Sequence, residues 1–191
     1  MKLVIKDILE CDRSQIMCVR DIRNEPSVRS AMYTDHVIEE AEHLNYIGQL
    51  KNDPRNKVFA ILNESMQPIG VTSFNSIDRK HSRCDLAFYI ASKARGIGSA
   101  IEWAMLEYTF TSMGMEKLNC EVIETNTRVV ELHKAFGFKV EGFRRENILK
   151  NNVRIGVFLL GLTKFDWFTN REDIYKKFGR MVRTNPVDIV G

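Results

Sequence analysis

The most informative segment of the chain reads Lys93-Ala94-Arg95-Gly96-Ile97-Gly98-Ser99-Ala100. It follows a predicted strand and opens an amphipathic helix. Two glycines at such a junction let the backbone approach a ligand closely and turn its N–H groups in one direction. The helix N-terminus adds a partial positive charge, and Lys93 and Arg95 add full ones. The segment predicts a pyrophosphate site, although by itself it fits a glycine-rich turn with two solvated cations equally well.

Two other phosphate-binding motifs do not match this segment. A Walker loop requires Gly-Lys followed by Ser or Thr, whereas Ser99-Ala100 follows the second glycine here. A Rossmann fingerprint requires a third glycine and a parallel strand–helix–strand start, and the strands before Lys93 are predicted to form an antiparallel meander. The surrounding elements must therefore decide what the segment does.

Hydrophobic periodicity predicts an α/β chain of the α+β kind, with a mixed, mostly antiparallel central sheet flanked by helices. The strand–helix–strand unit within residues 83–123 predicts one parallel crossover. We assign residues 1–165 to one domain and residues 166–191 to a polar, partly helical C-terminal extension. The predicted strands are 3–9, 57–62, 69–77, 83–90, 118–123, 140–148 and 154–162. The predicted helices are 14–24, 26–32, 38–51, 98–112 and 126–136.

Composition is typical of a soluble globular protein. Of the 191 residues, 44% are hydrophobic and 28% are charged, which excludes a disordered or low-complexity chain. The 28 basic and 25 acidic residues leave a net charge of +3, too small for the basic footprint of a protein that binds nucleic acid. Apolar stretches are too short for a membrane helix, and the N-terminus lacks a secretory core. We therefore expect a cytoplasmic protein with reduced thiols, no metal, no membrane and no nucleic acid partner.

The order of elements around the glycine-rich segment gives it a context. A meander, a strand leading into Arg-Gly-x-Gly, a helix, a strand and a second helix ending in Gly-Phe resemble the GCN5-related N-acetyltransferase (GNAT) superfamily over residues 3–165. The family's phosphate motif, Q/R-x-x-G-x-G/A, is filled by residues 93–98, with lysine in the first position. Its second signature, Asn…Tyr-x-x-x-Gly-Phe, appears as Asn126…His133-Lys134-Ala135-Phe136-Gly137-Phe138. The resemblance implies a GNAT fold and acetyl-CoA as the acetyl donor.

The N-terminal half is similar to one subgroup, the N-acetyltransferases of pseudaminic acid biosynthesis. The resemblance lies in Arg23-Asn24-Glu25-Pro26-Ser27-Val28-Arg29, Met32-Tyr33-Thr34 and His43-Leu44-Asn45-Tyr46-Ile47. Those enzymes acetylate the 4-amino group of UDP-4-amino-4,6-dideoxy-N-acetyl-β-L-altrosamine, which leads to flagellin or surface glycan modification. The resemblance thus implies a small-molecule nucleotide-sugar substrate. Related segments occur in acetyltransferases of ribosomal-protein N-termini, so a protein N-terminus stays open as the alternative acceptor.

The resemblance also implies which residues hold the coenzyme. The free edge of the fourth predicted strand would pair with the pantetheine arm, and the glycine-rich segment would hold the pyrophosphate. Asn126 would contact the pantetheine, although asparagine at a helix start is also a preferred cap. The residues expected to bind the coenzyme are Phe88, Tyr89, Ile90, Lys93, Arg95, Gly96, Ile97, Gly98, Ser99, Ala100, Asn126 and His133.

His133 stands where the family signature has a tyrosine that protonates the departing thiolate. An imidazole can donate a proton as well, so His133 is the candidate acid, and packing on its helix is the alternative interpretation. Glu121 aligns with an acidic residue of the subgroup and is the candidate base and acceptor contact. Glu124 and Asp85 are the candidates that follow it.

The resemblance to the subgroup implies an acceptor pocket lined by Met32, Tyr33 and Tyr46, whose sulfur and aromatic side chains suit a deoxysugar that carries a methyl group. The alternative for Tyr46 is an interior-facing position on its helix. Tyr89 faces the same acceptor or packs on the sheet. The arginines that would meet the UDP phosphates, or else lie solvated on a helix surface, are Arg20, Arg23 and Arg29.

The expected mechanism is direct attack in a ternary complex, since no cysteine stands in an evident activated arrangement. Two rivals to the sugar enzyme remain. One acetylates protein N-termini, and the other binds coenzyme A without catalysis and is favoured only by the missing signature tyrosine. The oligomeric state is left open, with a homodimer as one arrangement.

Overall fold

The computed structural model of the chain describes residues 1–94 and 96–190. The α-helices are α1 (Arg13–Asn24), α2 (Pro26–Arg29), α3 (Glu40–Leu50), α4 (Gly98–Glu107), α5 (Thr127–Ala135) and α6 (Lys164–Thr184). The β-strands are β1 (Leu3–Asp7), β2 (Lys57–Leu62), β3 (Pro68–Asp78), β4 (Arg83–Ile90), β5 (Lys117–Ile123), β6 (Lys139–Lys150), β7 (Val153–Thr163) and β8 (Val187–Val190). Short 3₁₀ helices occupy Ile8–Glu10 and Ser92–Ala94, and α4 runs on into a π-helical turn at Tyr108–Ser112.

The strands that the structure describes form one eight-stranded sheet in the order β6-β7-β5-β4-β3-β2-β1-β8. Neighbouring strands are antiparallel except for the pairs β4–β5 and β1–β8, which are parallel. The predicted mixed, mostly antiparallel sheet is confirmed. So is the parallel crossover, which α4 makes between β4 and β5. The predicted meander is β2-β3-β4, whose short turns join antiparallel neighbours.

Helices cover both faces of the sheet, and the side chains of β2 show why. Phe59 and Ile61 enter the hydrophobic cluster that also contains side chains of α4, α5 and α6. Val58, Ala60 and Leu62 enter a second cluster, with side chains of α1 and α3. Because successive side chains of a strand point to opposite faces, an uninterrupted apolar strand is what a sheet covered on both sides requires.

The sheet opens at its centre, where β4 and β5 separate. Within the described residues, β4 pairs with β5 only at Arg83, Cys84 and Asp85. The remainder of β4 pairs on its other side with β3. Residues 86–90 therefore keep backbone N–H and C=O groups directed into the gap, and such groups need partners.

The C-terminal residues share this sheet and core. Trp167 of α6 has no exposed surface and lies edge-on to Trp103 of α4, with 5.1 Å between ring centroids. After α6, β8 pairs in parallel with β1 at the edge of the sheet. Residues 166–191 were expected to form a partly helical extension. They contain most of α6, and they also supply the edge strand β8, which was not predicted. None of the described helices has the length and apolar character needed to cross a membrane.

Candidate active site

A cleft of about 660 Å³ opens where β4 and β5 separate. Its walls come from α2, β4, the segment before α4, β5 and α5. The residues predicted from the sequence that line it are Met32, Phe88, Tyr89, Ile90, Gly96, Gly98, Ser99, Glu121, Asn126 and His133. The cleft therefore brings eight of the twelve predicted coenzyme residues and part of the predicted acceptor pocket into one space.

The glycine-rich segment leads into α4 with the backbone geometry of an anion site. Gly96 has a φ of +101°, which L side chains rarely adopt. Ile97 caps α4 without a side-chain hydrogen bond in the described chain, so the first N–H groups of the helix stay available to an anion. Ile97 and Ala100 have buried side chains, which leaves only their backbone for the coenzyme. Lys93 is exposed and outside the lining of the cleft, and Arg95 lies outside the described residues.

Asn126 stands at the start of α5 and lines the cleft. In the part of the chain that the structure describes, its side chain makes no capping hydrogen bond to the helix. The amide is therefore able to donate and accept hydrogen bonds toward a ligand in the cleft. This favours ligand binding over capping, the two roles that the sequence left open.

His133 lies in the wall of the cleft and is almost fully buried, with 4% of its surface exposed. Its Nδ1 is 2.8 Å from Oε1 of Glu102 on α4. Burial by itself lowers the pKa of His133, but the Glu102 carboxylate and then Cys120 oppose it, and together they hold the pKa well above its ordinary value. This direction favours a protonated imidazole. The ring packs in the wall of the cleft, and its role as the acid stays a prediction.

Glu121 lines the cleft from β5 and is held by two other side chains. Arg144 of β6 donates to its Oε1 at 2.8 Å, and the hydroxyl of Tyr33, after α2, donates to its Oε2. Burial and the hydrogen bond to Glu121 raise the pKa of Tyr33, so the phenol keeps its proton. A carboxylate, a phenol and a guanidinium thus meet at one end of the cleft.

The other two candidate bases are engaged elsewhere. Glu124 accepts a hydrogen bond from the backbone N–H of Gly156 at 2.8 Å, and Asp85 accepts one from Asn119 at 3.1 Å. Both carboxylates stabilise the sheet and its connections. Among the candidates named from the sequence, the structure therefore brings Glu121 to the cleft and leaves these two outside its lining.

The two remaining tyrosines differ in position. Tyr89 lines the cleft and also packs between the clusters beneath α1 and α2, where burial raises the pKa of its phenol. Tyr46 on α3 is 45% exposed and lies outside the lining of the cleft. α3 packs beside α1, against the same cluster as Tyr89, and the place of Tyr46 in the acceptor pocket stays a prediction.

The arginines of the N-terminal segment hold the loop between α2 and α3. Arg20 donates to the carbonyl of Ile38 at 2.9 Å, Arg23 to that of Thr34 at 3.1 Å, and Arg29 to that of Asp35 at 2.9 Å. The guanidinium groups are therefore bound to the loop and are not simply solvated on a helix surface, while their contacts with UDP phosphates stay a prediction. The arginines shape the loop that carries Tyr33 because each one ties a side chain of a helix to a loop carbonyl.

Lys150 fixes the start of the same loop from the end of β6. Its Nζ donates to the carbonyls of Arg29, Ser30 and Met32 at 3.0, 2.9 and 2.6 Å. It lies at a β6–β7 hairpin whose two turn residues, Asn151 and Asn152, have φ of 49° and 62°, as a tight hairpin turn demands. The hairpin thereby anchors the acceptor end of the cleft.

Sequence reasoning missed Glu102, Arg144 and Lys150. A signal existed for Glu102, because it is a charged residue between Ile101 and Trp103 in a helix with a broad apolar face. Arg144 and Lys150 are two of several cationic residues on a polar strand, and the sequence does not distinguish them from the others. Their partners lie on other elements, which local patterns do not reveal.

These features fit acetyl-CoA, which would supply the acetyl group as a reactive thioester. The N-terminus of α4 suits its pyrophosphate. The free edge of β4 and the amide of Asn126 suit the amide groups of its pantetheine arm. His133 lies beside Phe88 of that edge, with 6.1 Å between ring centroids, and so adjoins the strand that would hold the arm.

Comparison with known proteins identifies the family of this chain. The sequence profile of the family described as "Acetyltransferase (GNAT) domain" matches residues 3–139. Acetyltransferase PseH of Campylobacter jejuni subsp. jejuni serotype O:23/36 (strain 81-176) is 25% identical over 136 residues, which are 71% of this chain and 84% of that protein. Uncharacterized N-acetyltransferase p20 of Bacillus licheniformis is 24% identical over 166 residues, 83% of this chain and 92% of that protein.

The solved structures agree on the fold. A spermidine N-acetyltransferase from Vibrio cholerae, in complex with CoA and spermine, has a TM-score of 0.78 at 20% identity, over 87% of this chain and 98% of that one. The family profile matches well over half of the chain. The resemblance to the GNAT superfamily, noted from the glycine-rich segment and the order of elements around it, is therefore confirmed. This chain belongs to the GNAT acetyltransferase family and is an acetyl-CoA-dependent N-acetyltransferase.

Proposed function

We propose that the enzyme acetylates the 4-amino group of a UDP-linked amino-deoxysugar, as in pseudaminic acid biosynthesis. Support comes from the similarity to PseH, which extends over 84% of that protein, and from the chemistry of the acceptor end. Nucleotide sugars and acetyl-CoA are both cytoplasmic metabolites, so we place the reaction there. The product sugar would serve flagellin or surface glycan modification.

The observation that carries the proposal is the contact of Glu121 with Tyr33 and Arg144. It supplies polar groups for a sugar, while Met32 in the same wall supplies an apolar surface for a methyl group. The bond from Tyr33 to Glu121 also joins the α2–α3 loop to β5. Because Glu121 is paired with Arg144, this end of the cleft offers little net negative charge to a polyamine.

In the proposed mechanism the amine attacks directly in a ternary complex. Glu121 accepts the proton that the amine loses, directly or through a water molecule, and Tyr33 and Arg144 orient its carboxylate. His133 donates a proton to the sulfur as the carbon–sulfur bond breaks. The first turn of α4, the edge of β4 and Asn126 hold the donor so that the two reactants meet at attack distance.

The test is acetyl-CoA consumption by the purified protein against a panel of acceptors. The panel holds UDP-4-amino-sugars of the altrosamine and glucosamine types, a ribosomal-type N-terminal peptide and spermidine. A UDP-sugar whose 4-amino group is already acetylated is the matched negative control. We expect turnover of a UDP-4-amino-sugar, while turnover of the peptide or spermidine alone would overturn the proposed acceptor and leave the coenzyme site intact.

Two variants test the assigned roles on the acceptor that is turned over. Glu121→Gln should lower kcat by about 10²-fold or more, the usual contribution of a general base, with unchanged CoA affinity. Glu116→Gln is the control, since Glu116 is an exposed partner of Lys164 before β5. His133→Phe should lose turnover and keep CoA binding. Binding of CoA with no turnover of any acceptor by the wild type would favour the non-catalytic module.

A further inference from the structure

We propose that Glu102 is a positioning residue that orients His133 and keeps it protonated, so that the histidine replaces the tyrosine of the family signature. The proposal rests on the role of His133 in the proposed mechanism. It assigns a function to a residue of α4 that neither the motif nor the acceptor chemistry singles out.

The geometry is that of a dedicated pair. Glu102 has no exposed surface and His133 has 4%, and Oε1 of Glu102 lies 2.8 Å from Nδ1 of His133. The other oxygen, Oε2, is buried without a hydrogen-bond partner among the residues described. Burying a carboxylate costs several kcal/mol unless it is paired. A site that only needed filling between two helices would be served by an apolar side chain.

Among the groups around the ring, the Glu102 carboxylate is the strongest charge that favours the protonated imidazole, and Cys120 adds to its effect. Phe88 of β4 and Phe138 after α5 face the ring at centroid distances of 6.1 and 5.0 Å. Cys120 of β5 lies within hydrogen-bonding reach of the ring and also raises the pKa of His133, while burial raises the pKa of the Cys120 thiol. On α5 itself, Glu131 and Lys134 pair with each other at the surface.

The charge matters because of what the histidine has to do. An ordinary imidazole, with a pKa of about 6.5, is mostly neutral above pH 7 and is then a poor acid toward a thiolate. Next to Glu102 the ring stays an imidazolium. Since Nδ1 faces the carboxylate, the proton on Nε2 is the one transferred to sulfur as the carbon–sulfur bond breaks. The ring is then neutral, keeps its Nδ1 proton toward Glu102, and regains the other proton from solvent.

The test is the pH profile of kcat/KM in Glu102→Gln. Glutamine keeps the size and an accepting oxygen but removes the charge, so the pKa of His133 should fall. We expect the alkaline limb of the profile to move down by at least about one pH unit, and activity at pH 8.5 to fall about tenfold or more. The control is Glu107→Gln, because Glu107 lies on the same helix but pairs with Arg171 away from the cleft. It should leave the alkaline limb in place.

The same substitution made in a His133 variant distinguishes a positioning role of Glu102 from a purely structural one. His133→Tyr restores the phenol of the family signature, which stays protonated through pH 9 without help. Adding Glu102→Gln to that variant should leave its alkaline limb unchanged. An equal shift in the histidine and tyrosine backgrounds, or no shift in either, would overturn the proposal.

A direct titration measures the charge of His133 without an acceptor. The ring signals of the four histidines are followed by NMR against pH, and the signal absent from His133→Tyr is assigned. Its midpoint should lie above 6.5 in the wild type and below it in Glu102→Gln, where burial acts unopposed. Any amine that the enzyme acetylates serves for the kinetics, because the proton goes to sulfur whichever amine attacks. If the proposed sugar is wrong, the pH profile can still be measured with another amine. If the titration midpoint of His133 does not shift in Glu102→Gln, the role of Glu102 is refuted and the proposed sugar is unaffected.

Discussion

Replacing Lys150 tests whether the β6–β7 hairpin holds the loop between α2 and α3, which carries Tyr33. The ammonium donates to three carbonyls, those of Arg29, Ser30 and Met32, and its residue is 7% exposed. Lys150→Met keeps the aliphatic stem and removes the donors. The three carbonyls, which end the short helix α2 and begin the loop to Tyr33, then lose their partner in a site with little room for solvent.

The size of the effect follows from these contacts. A hydrogen bond to a charged group contributes about 1.5–3 kcal/mol. Three such bonds share one ammonium, so their contributions do not add fully. Burial lowers the pKa of Lys150, which means that part of the free energy gained from the hydrogen bonds offsets the cost of burying the charge. We therefore expect a loss of about 3 kcal/mol in the free energy of unfolding. For a chain of this size that corresponds to a fall in Tm of about 6–12 °C.

The assay is denaturant and thermal unfolding of Lys150→Met beside Lys139→Met. Lys139 lies on the same strand and makes a 2.8 Å ion pair with Asp166, with 69% of its side chain exposed. Exposed pairs contribute less than about 1 kcal/mol, so the control should melt within about 3 °C of the wild type. Lys150→Met should also raise the KM for the acceptor and leave CoA affinity unchanged. Equal stability losses in the two variants would refute the reasoning.

Three other predictions concern the two ends of the cleft. Asn126→Ala should weaken CoA binding about fivefold, the value of one hydrogen bond, with little change in Tm, because its side chain caps nothing; calorimetry measures the affinity. Gly96→Ala should cost at least about 1 kcal/mol in stability through its positive φ alone, since a Cβ there meets open space; thermal melting with and without CoA measures it. Tyr33→Phe should raise the acceptor KM several-fold at unchanged CoA affinity, because Glu121 loses a donor; wild-type kinetics would contradict its place in the acceptor site.

The fold was largely predictable because its elements have strong local signals. α1 starts at Arg13, one residue before the predicted start, where Asp12 and Gln15 cap the helix reciprocally. The predicted helix 98–112 divides into α4 and a π-helical turn, a difference that hydrophobic spacing does not resolve. The strand β8 was missed because four residues at a sheet edge carry too short a pattern.

The candidate site was predictable only where its chemistry is local. The anion site proposed for the glycine-rich segment uses the backbone of that segment, so its local sequence is enough to suggest it. Glu102 and His133 are 31 residues apart, Glu121 and Arg144 are 23 apart, and Lys150 reaches a carbonyl 121 residues away. Each of these pairs depends on how the helices and strands pack, and a single sequence contains no record of that packing.

The two parts of the site nevertheless share one element, and that is why they keep their geometry. Gly98 starts α4, and Glu102 follows four residues later, about one turn or 6 Å along the axis. A Cβ on Gly98 would lie 3.5 Å from Leu132, the residue before His133. The helix whose N-terminus is the proposed site for the coenzyme phosphates therefore lies against the helix that carries His133, the proposed proton donor. It also holds Glu102, the carboxylate proposed to keep His133 protonated. In the proposed mechanism, the contacts between α4 and α5 at Gly98 and at the Glu102–His133 pair set the distance between the phosphate site and the acid. We therefore expect Gly98 to constrain catalysis as well as binding.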